Sequence, residues 1–338
     1  MVQALRRGNC LSRKLFVHVG PNRTATTAIQ DFLGRPNNST VVYPKLDGER
    51  AGAHHGLVRA FFGSRGAGRT RDQELERLLS KMDAEASRSE RDVIISSEAL
   101  VSEWKDIGPF VRELITLLRV APADVEIIVA CREHFARAAS CYNKKVRAFG
   151  RGERSLPDQF LASQAARFCY APLIGRLRRT GFKVTTLNYH PSENWTDRFL
   201  VHIGFPPDKL PKIRTRLASV GPKALIANLA ANKAFDSKQS RMKFRDEFRE
   251  TSDRQPSSYF IFSRDCARKV DELFGEDRKF LESECNIRLN PPDLEIVESA
   301  FFISATELDE IVSVARKVGR EKRIAAFARR YVKDVIAT

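Results

Sequence analysis

Apolar positions along the chain fall into two periods. Leu15-Phe16-Val17-His18-Val19 is a short, mostly apolar run that stops at Gly20-Pro21, which reads as a strand ending in a turn. Directly after it, Ala25, Ala28, Ile29, Phe32 and Leu33 recur at i, i+3, i+4, i+7 and i+8, one complete face of a helix, with Gly34 at the expected C-cap. Residues 15–34 therefore predict strand, loop, helix. Further strands are expected at Val41-Val42-Tyr43, at 92–96 (DVIIS), at 125–130 (VEIIVA) and at 183–189 (KVTTLNY). Between them, Leu75, Leu78, Leu79 and Met82 mark one helical face, and residues 107–120 read as a second helix. Phe135, Ala138, Ala139, Tyr142 and Val146 mark a third helical face, and residues 199–203 look helical.

Strands alternating with helices, several of them apolar on both faces, predict an α/β fold with a parallel sheet flanked by helices. Beyond about residue 205 the period turns helical, and residues 306–337 read as one or two helices rich in Arg and Lys. The expected division is a tail at 1–13, an α/β domain at 14–292 and a helical C-terminal extension at 293–338.

Composition removes whole classes. With 42% hydrophobic and 30% charged residues in 338, the chain is globular, not disordered or fibrous. It has no run of about 18 apolar residues, so no membrane span is expected. The basic start MVQALRRGNCLSRK lacks an apolar core, so no secretory leader is expected either. The six cysteines include no C-x-x-C pair and predict reduced thiols in a cytoplasmic protein. A net charge of +16 implies an anionic partner without naming it.

The loop after the first strand narrows that choice. Gly20-Pro21-Asn22-Arg23-Thr24-Ala25-Thr26-Thr27 lies at a strand's carboxyl end and opens a helix, whose free N–H groups attract anions. One Arg and three Thr hydroxyls add donors. The nucleotide-kinase pattern G-x-x-x-x-G-K-[ST] needs Lys at its seventh position, which here is Thr26. The cation sits three residues earlier, at Arg23. The plain alternative is a strand-to-helix turn with capping threonines. A second signal follows the 125–130 strand: Arg132 stands at its carboxyl end, and Ser140 lies eight residues on, near the second turn of the next helix. One is a charged fork and the other a neutral donor, both able to meet one phosphate.

Taken together, the loop G-P-x-[KR]-[ST]-x-T-[TS] and the later R-x7-S resemble the sulfotransferase family that uses 3′-phosphoadenosine-5′-phosphosulfate (PAPS). The likeness continues through IISSEAL around Ser96-Ser97-Glu98, the S-x-Y segment at Ser140-Cys141-Tyr142, and the strand ending in Tyr189 followed by FLVHIGFP. It covers roughly residues 14–230. It implies a P-loop NTPase-like three-layer sandwich and in-line sulfuryl transfer to an acceptor hydroxyl or amine, with a glycan or a small hydroxyl compound as the candidate acceptor. It further implies that Arg23, Thr24, Ala25, Thr26, Thr27, Arg132, Ser140 and Tyr189 hold the donor, with no metal. Glu98 is then the first candidate for the general base and His55 the second. Arg23 stands where many members have Lys, and Ala25 where Gly is common. If position 25 needs a left-handed backbone, Ala costs about 1 kcal/mol there.

Other readings remain open at this point. A P-loop kinase would need ATP and Mg²⁺. A basic nucleic-acid-binding protein would use the runs 238–249 and 316–330, although nucleic acid is not the expected partner. A family member without activity would follow from Ala25. Tyr189 reads equally as a core aromatic. His18 reads as a satisfied core histidine, His54 as loop polarity, and Phe61 and Phe62 as core packing.

Overall fold

The computed structural model describes residues 13–35, 40–46, 53–63, 71–102, 106–148, 152–189, 195–210, 220–249, 261–290 and 302–332. In chain order the elements are β1 (Leu15–His18), α1 (Thr26–Leu33), α2 (His55–Phe62), α3 (Arg71–Ala86), β2 (Val93–Ser96), α4 (Ala99–Ser102), α5 (Gly108–Leu118), β3 (Val125–Arg132), α6 (His134–Val146) and α7 (Pro157–Gln164). They continue as α8 (Ala171–Arg178), β4 (Lys183–Tyr189), α9 (Trp195–His202), α10 (Pro222–Ala234), α11 (Lys238–Arg249), α12 (Arg264–Arg268), α13 (Val270–Cys285), α14 (Ala305–Lys317) and α15 (Glu321–Ala328). The described strands form one parallel sheet in the order β2-β1-β3-β4, so the fold is α/β and mostly helical. None of the described helices is long and apolar enough to cross a membrane.

The chain divides into two compact units. The first comprises Met1–Arg132, Tyr170–Arg216 and Asp277–Leu289, and it contains the sheet. The second gathers Glu133–Cys169, Leu217–Glu276 and Asn290–Thr338.

In the first unit the period of two explains the layers. Leu15, Val17, Val93, Ile95, Val125, Ile127 and Val129 point to one face, where helices α2, α3, α5 and α8 cover them. Phe16, Ile94, Ile128 and Ala130 point to the other, against Ile29 and Leu33 of α1 and Phe199 and Leu200 of α9. Each fully buried Val, Leu or Ile contributes about 1.5–3 kcal/mol. A charge at Ile127 or Ile128 would find no water on either side. The second unit has its own cores. Ile226, Ala230, Phe244, Ile311 and Ile324 join α10, α11, α14 and α15 in one of them. Phe135, Tyr142, Phe160, Leu225 and Phe274 join α6, α7, α10 and α13 in another.

Three expectations need correction. The strand expected at Val41-Val42-Tyr43 is a single parallel bridge, Val42 to Val93, at the outer side of β2. Val42 exchanges bonds with Asp92 and Ile94 (2.7 and 3.0 Å), and Pro44, which has no N–H, cannot extend the ladder. The 125–130 strand runs two residues further, so Arg132 is its last member and lies opposite Tyr189 of β4. The helix expected from residue 199 begins earlier, at Trp195. The basic tail forms two helices, α14 and α15.

Candidate functional site

The register of the sheet decides which polar side chains meet. β1 and β2 end together, with His18 opposite Ser96, and β3 and β4 end with Arg132 opposite Tyr189. All of these are at carboxyl ends, where open parallel sheets receive ligands. The loop from Gly20 to Ala25 rises from the same edge of β1 and delivers α1.

This loop is held by contacts and strain of its own. A β-carbon on Gly20 would collide with the Thr26 methyl, so only glycine fits there. Thr24, fully buried, donates its hydroxyl to the Pro21 carbonyl at 2.8 Å and closes the turn. Arg23 and Ala25 both have left-handed backbones, φ 76° and 54°. Such a conformation costs a non-glycine residue about 1–2 kcal/mol, and strain of this kind gathers at ligand-binding sites. Ala25 is the N-cap of α1 and makes no side-chain cap bond. The threonines are not caps either, because Thr26 donates its hydroxyl to Glu98. Thr27 is half-buried in the first turn of α1.

Arg132 crosses to this loop. Its Nη1 donates to the carbonyl oxygen of Arg23 at 2.9 Å, and its guanidinium lies 5.1 Å from the centre of the Tyr189 ring. Tyr189 in turn meets Trp195 edge-on at 5.3 Å. Tyr189 is a platform under Arg132. The backbone of Arg132 is clamped from behind. Its N–H donates to the Tyr170 hydroxyl, and that hydroxyl donates to its carbonyl, both at 2.8 Å. Asp277, buried, fixes Tyr170 by accepting its N–H at 2.8 Å. It also accepts the Ala171 N–H at 2.6 Å, at the start of α8. Tyr170 and Asp277 carry no local pattern that would reveal this role, since they lie 38 and 145 residues from Arg132.

At the end of β2 the chain presents Ser96, Ser97 and Glu98. Glu98 is half-buried and accepts the Thr26 hydroxyl, so it stands beside the loop. The His55 Nδ1 lies 2.8 Å from the Ser97 hydroxyl. His54 has a different job from its neighbour. The Ser96 N–H donates to its Nδ1 at 3.0 Å, so the ring proton is on Nε2, which donates to the Pro44 carbonyl at 2.8 Å. Burial pushes the His54 pKa down to about 4. His54 is a buried clamp, while Phe61 and Phe62 pack on Phe110 as core residues.

His18 departs from its expected role as a satisfied core residue. It is fully buried, with Nδ1 2.9 Å from the Ser96 hydroxyl, while its Nε2 has no partner among the described residues. Burial lowers its pKa to about 3. Arg132 likewise has a buried Nε without a partner. Ser140, the remaining expected donor ligand, is buried on α6 and belongs to the second unit. The structure thus brings the loop, Glu98, Arg132 and Tyr189 to one sheet edge, with His55 at the end of β2.

Family models, curated proteins and solved structures offer no match to this chain. What the site can do follows from its own chemistry. It offers helix N–H groups, guanidinium groups and hydroxyls around strained backbone, a donor set suited to a phosphate or sulfate ester.

Proposed function

We propose that the chain is a sulfotransferase that moves a sulfuryl group from PAPS to an acceptor hydroxyl or amine. The observation that carries the reading is the reach of Arg132 from the end of β3 to the backbone carbonyl of Arg23, which ties a cationic side chain at one strand end to the loop after β1. The parallel order β2-β1-β3-β4, with the Val42 bridge outside β2, supports reading the sheet as a P-loop-like sandwich. The unpartnered, buried Nε of Arg132 fits a phosphorylated ligand as well.

In this reading the donor supplies a sulfuryl group on a 5′-phosphate leaving group. The new S–O bond forms to the acceptor oxygen as the S–O bond to that phosphate breaks, and the acceptor's proton passes to a base. Arg23, Thr24, Thr26, Thr27 and the loop amides, Ala25 among them, stabilise the charge that grows on the departing phosphate oxygen. Arg132, braced by Tyr189 and Tyr170, holds the 3′-phosphate. Glu98 takes the proton, with His55 on Ser97 as the second candidate. The acceptor could be a glycan or a small hydroxyl compound.

Calorimetry with 3′,5′-adenosine bisphosphate tests the reading. Micromolar binding is expected, weakened at least 100-fold by Arg132→Ala. The same change should leave weak binding of 5′-AMP, which has no 3′-phosphate, nearly unaltered. Bisphosphate binding indifferent to Arg132→Ala, or a preference for ATP with Mg²⁺, would sink it.

A further inference from the structure

The buried histidine at the end of β1 leaves half of its hydrogen-bonding capacity unused among the described residues. Its protonation state follows from its neighbours. Gln30 on α1 donates its amide N–H to the Ser96 hydroxyl oxygen at 3.1 Å. The Ser96 hydroxyl proton then has one acceptor at hand, the His18 Nδ1 at 2.9 Å. A ring nitrogen that accepts carries no proton, so the hydrogen of neutral His18 is on Nε2. Gln30, Ser96 and His18 thus form a directed chain that ends in an unused N–H.

The Nε2 edge of the ring lies against the loop. Nε2 lies 3.2 Å and Cε1 3.3 Å from the point where a β-carbon of Gly20 would stand, and the Thr26 side chain flanks the same point. The ring is wedged in place by Phe199, whose centroid is 4.7 Å away. Any side chain at position 20 would stand against the nitrogen. A buried donor left unsatisfied is costly, and this one is held in place by two further side chains whose bonds fix its tautomer.

We propose that His18 is a ligand-binding residue of the loop, a neutral imidazole that gives its Nε2–H to an oxygen of a bound phosphate or sulfate group. This rests on reading the loop as an anion cradle and adds to it a donor from beneath, independent of Arg23 and Arg132. The depressed pKa agrees with a neutral donor across the ordinary pH range. A neutral donor binds an oxyanion without adding a full charge that would hold the product phosphate too tightly.

The test is imidazole ¹⁵N–¹H NMR on the full chain at pH 7, titrated with inorganic pyrophosphate and with 3′,5′-adenosine bisphosphate. Calorimetry measures binding in parallel. In the free protein the His18 proton should be on Nε2, and saturating either ligand should shift that proton downfield. His18→Asn keeps an acceptor for Ser96 but has no donor at the Nε2 position; it should weaken pyrophosphate roughly 10- to 100-fold, the loss of one bond to a charged group. A proton on Nδ1, a bound ligand that leaves Nε2–H unmoved, or failure of both ligands to bind would each overturn the proposal. If the variant does not fold, the wild-type spectra decide alone. Pyrophosphate moving the proton while the bisphosphate fails to bind would keep this role for His18 and remove the PAPS reading. Bisphosphate binding with an unmoved proton would do the reverse.

Discussion

The two compact units bury polar side chains in opposite ways. In the second unit, buried arginines turn onto backbone carbonyls. Arg245 donates Nη1 to the Arg147 and Ala148 carbonyls at 3.0 and 2.9 Å, and Nη2 to Val146 at 2.8 Å. Val146 is the last residue of α6, and Arg147 and Ala148 follow it directly. Asn232 accepts from the same guanidinium and donates to Val146 and Glu153. Arg241 finishes α10 on the Phe235 and Asp236 carbonyls, both at 2.9 Å. Cations at helix C-termini oppose the helix dipole favourably. In the first unit the buried polar groups gather at the carboxyl edge of the sheet, where one histidine nitrogen is unpaired and two residues are left-handed. What sets the sheet edge apart is the left-handed backbone of Arg23 and Ala25 beside the buried His18, strain of the kind that gathers at ligand sites. The contrast also bears on the charge of +16: part of the arginine excess serves helix ends and needs no anionic partner.

Acid should break the first unit's edge most strongly. His54 and His18 are held neutral by burial, with folded pKa values of about 4 and about 3 against 6.5 for the free side chain. Between these values the unfolded chain binds a proton that the folded chain does not. Stability is therefore full above pH 6.5 and falls as pH drops, ending near pH 4 for His54 and near pH 3 for His18. Each ring contributes about 1 kcal/mol per pH unit, so the pair should cost on the order of 4 kcal/mol between pH 6.5 and 4.5. Hydrogen exchange at the two pH values should show the amides of β1 and β2 losing protection. Equal protection at both would refute the account.

Arg245→Ala should break the second unit's network. It removes four hydrogen bonds from a buried guanidinium and leaves the end of α6 without them, at a cost of roughly 3 kcal/mol. Urea unfolding should show a lower midpoint with an unchanged slope. A change below about 1 kcal/mol would mean that water replaces the guanidinium, and that the network contributes less than its distances suggest.

What the sequence made legible divides along the same line. The faces of α1, α3, α5 and α6 and the positions of β1, β2 and β4 follow from spacing a reader can count, because period two and period 3.6 are local properties. The loop's place at the carboxyl edge, and Arg132 on the same edge, follow from the order of elements. The clamp of Tyr170 and Asp277, the tautomer of His54 and the orphan nitrogen of His18 do not. Each depends on partners 10 to 107 residues away. Val41-Val42-Tyr43 has the composition of a strand yet gives one bridge, since Pro44 ends the ladder whatever the β propensity before it. Buried arginines in α6 and α11 read from sequence as surface charge, because nothing local says that a helix end needs their donors.

The smallest effect is the sharpest test of whether the loop is strained. Ala25 has φ 54° and ψ 21°, a conformation that glycine adopts freely and alanine does not. Ala25→Gly should relieve about 1–2 kcal/mol of strain in the folded state. Against this, glycine loses about 0.5–1 kcal/mol more backbone entropy on folding. The net expectation is a gain of about 0.5–1 kcal/mol, read as a higher urea midpoint. Ala25→Val should move the other way, because a β-branched side chain is worse still at positive φ. The pair of variants separates strain from packing: if close contact with the alanine methyl held the loop, glycine would destabilise and valine would not be the mirror image. Bisphosphate affinity adds a second measurement. A loop already set in its bound shape should gain little affinity from Ala25→Gly. A loop whose alanine resists closing on an anion should gain affinity in excess of the stability change, and that excess would show the strain is released on binding rather than on folding.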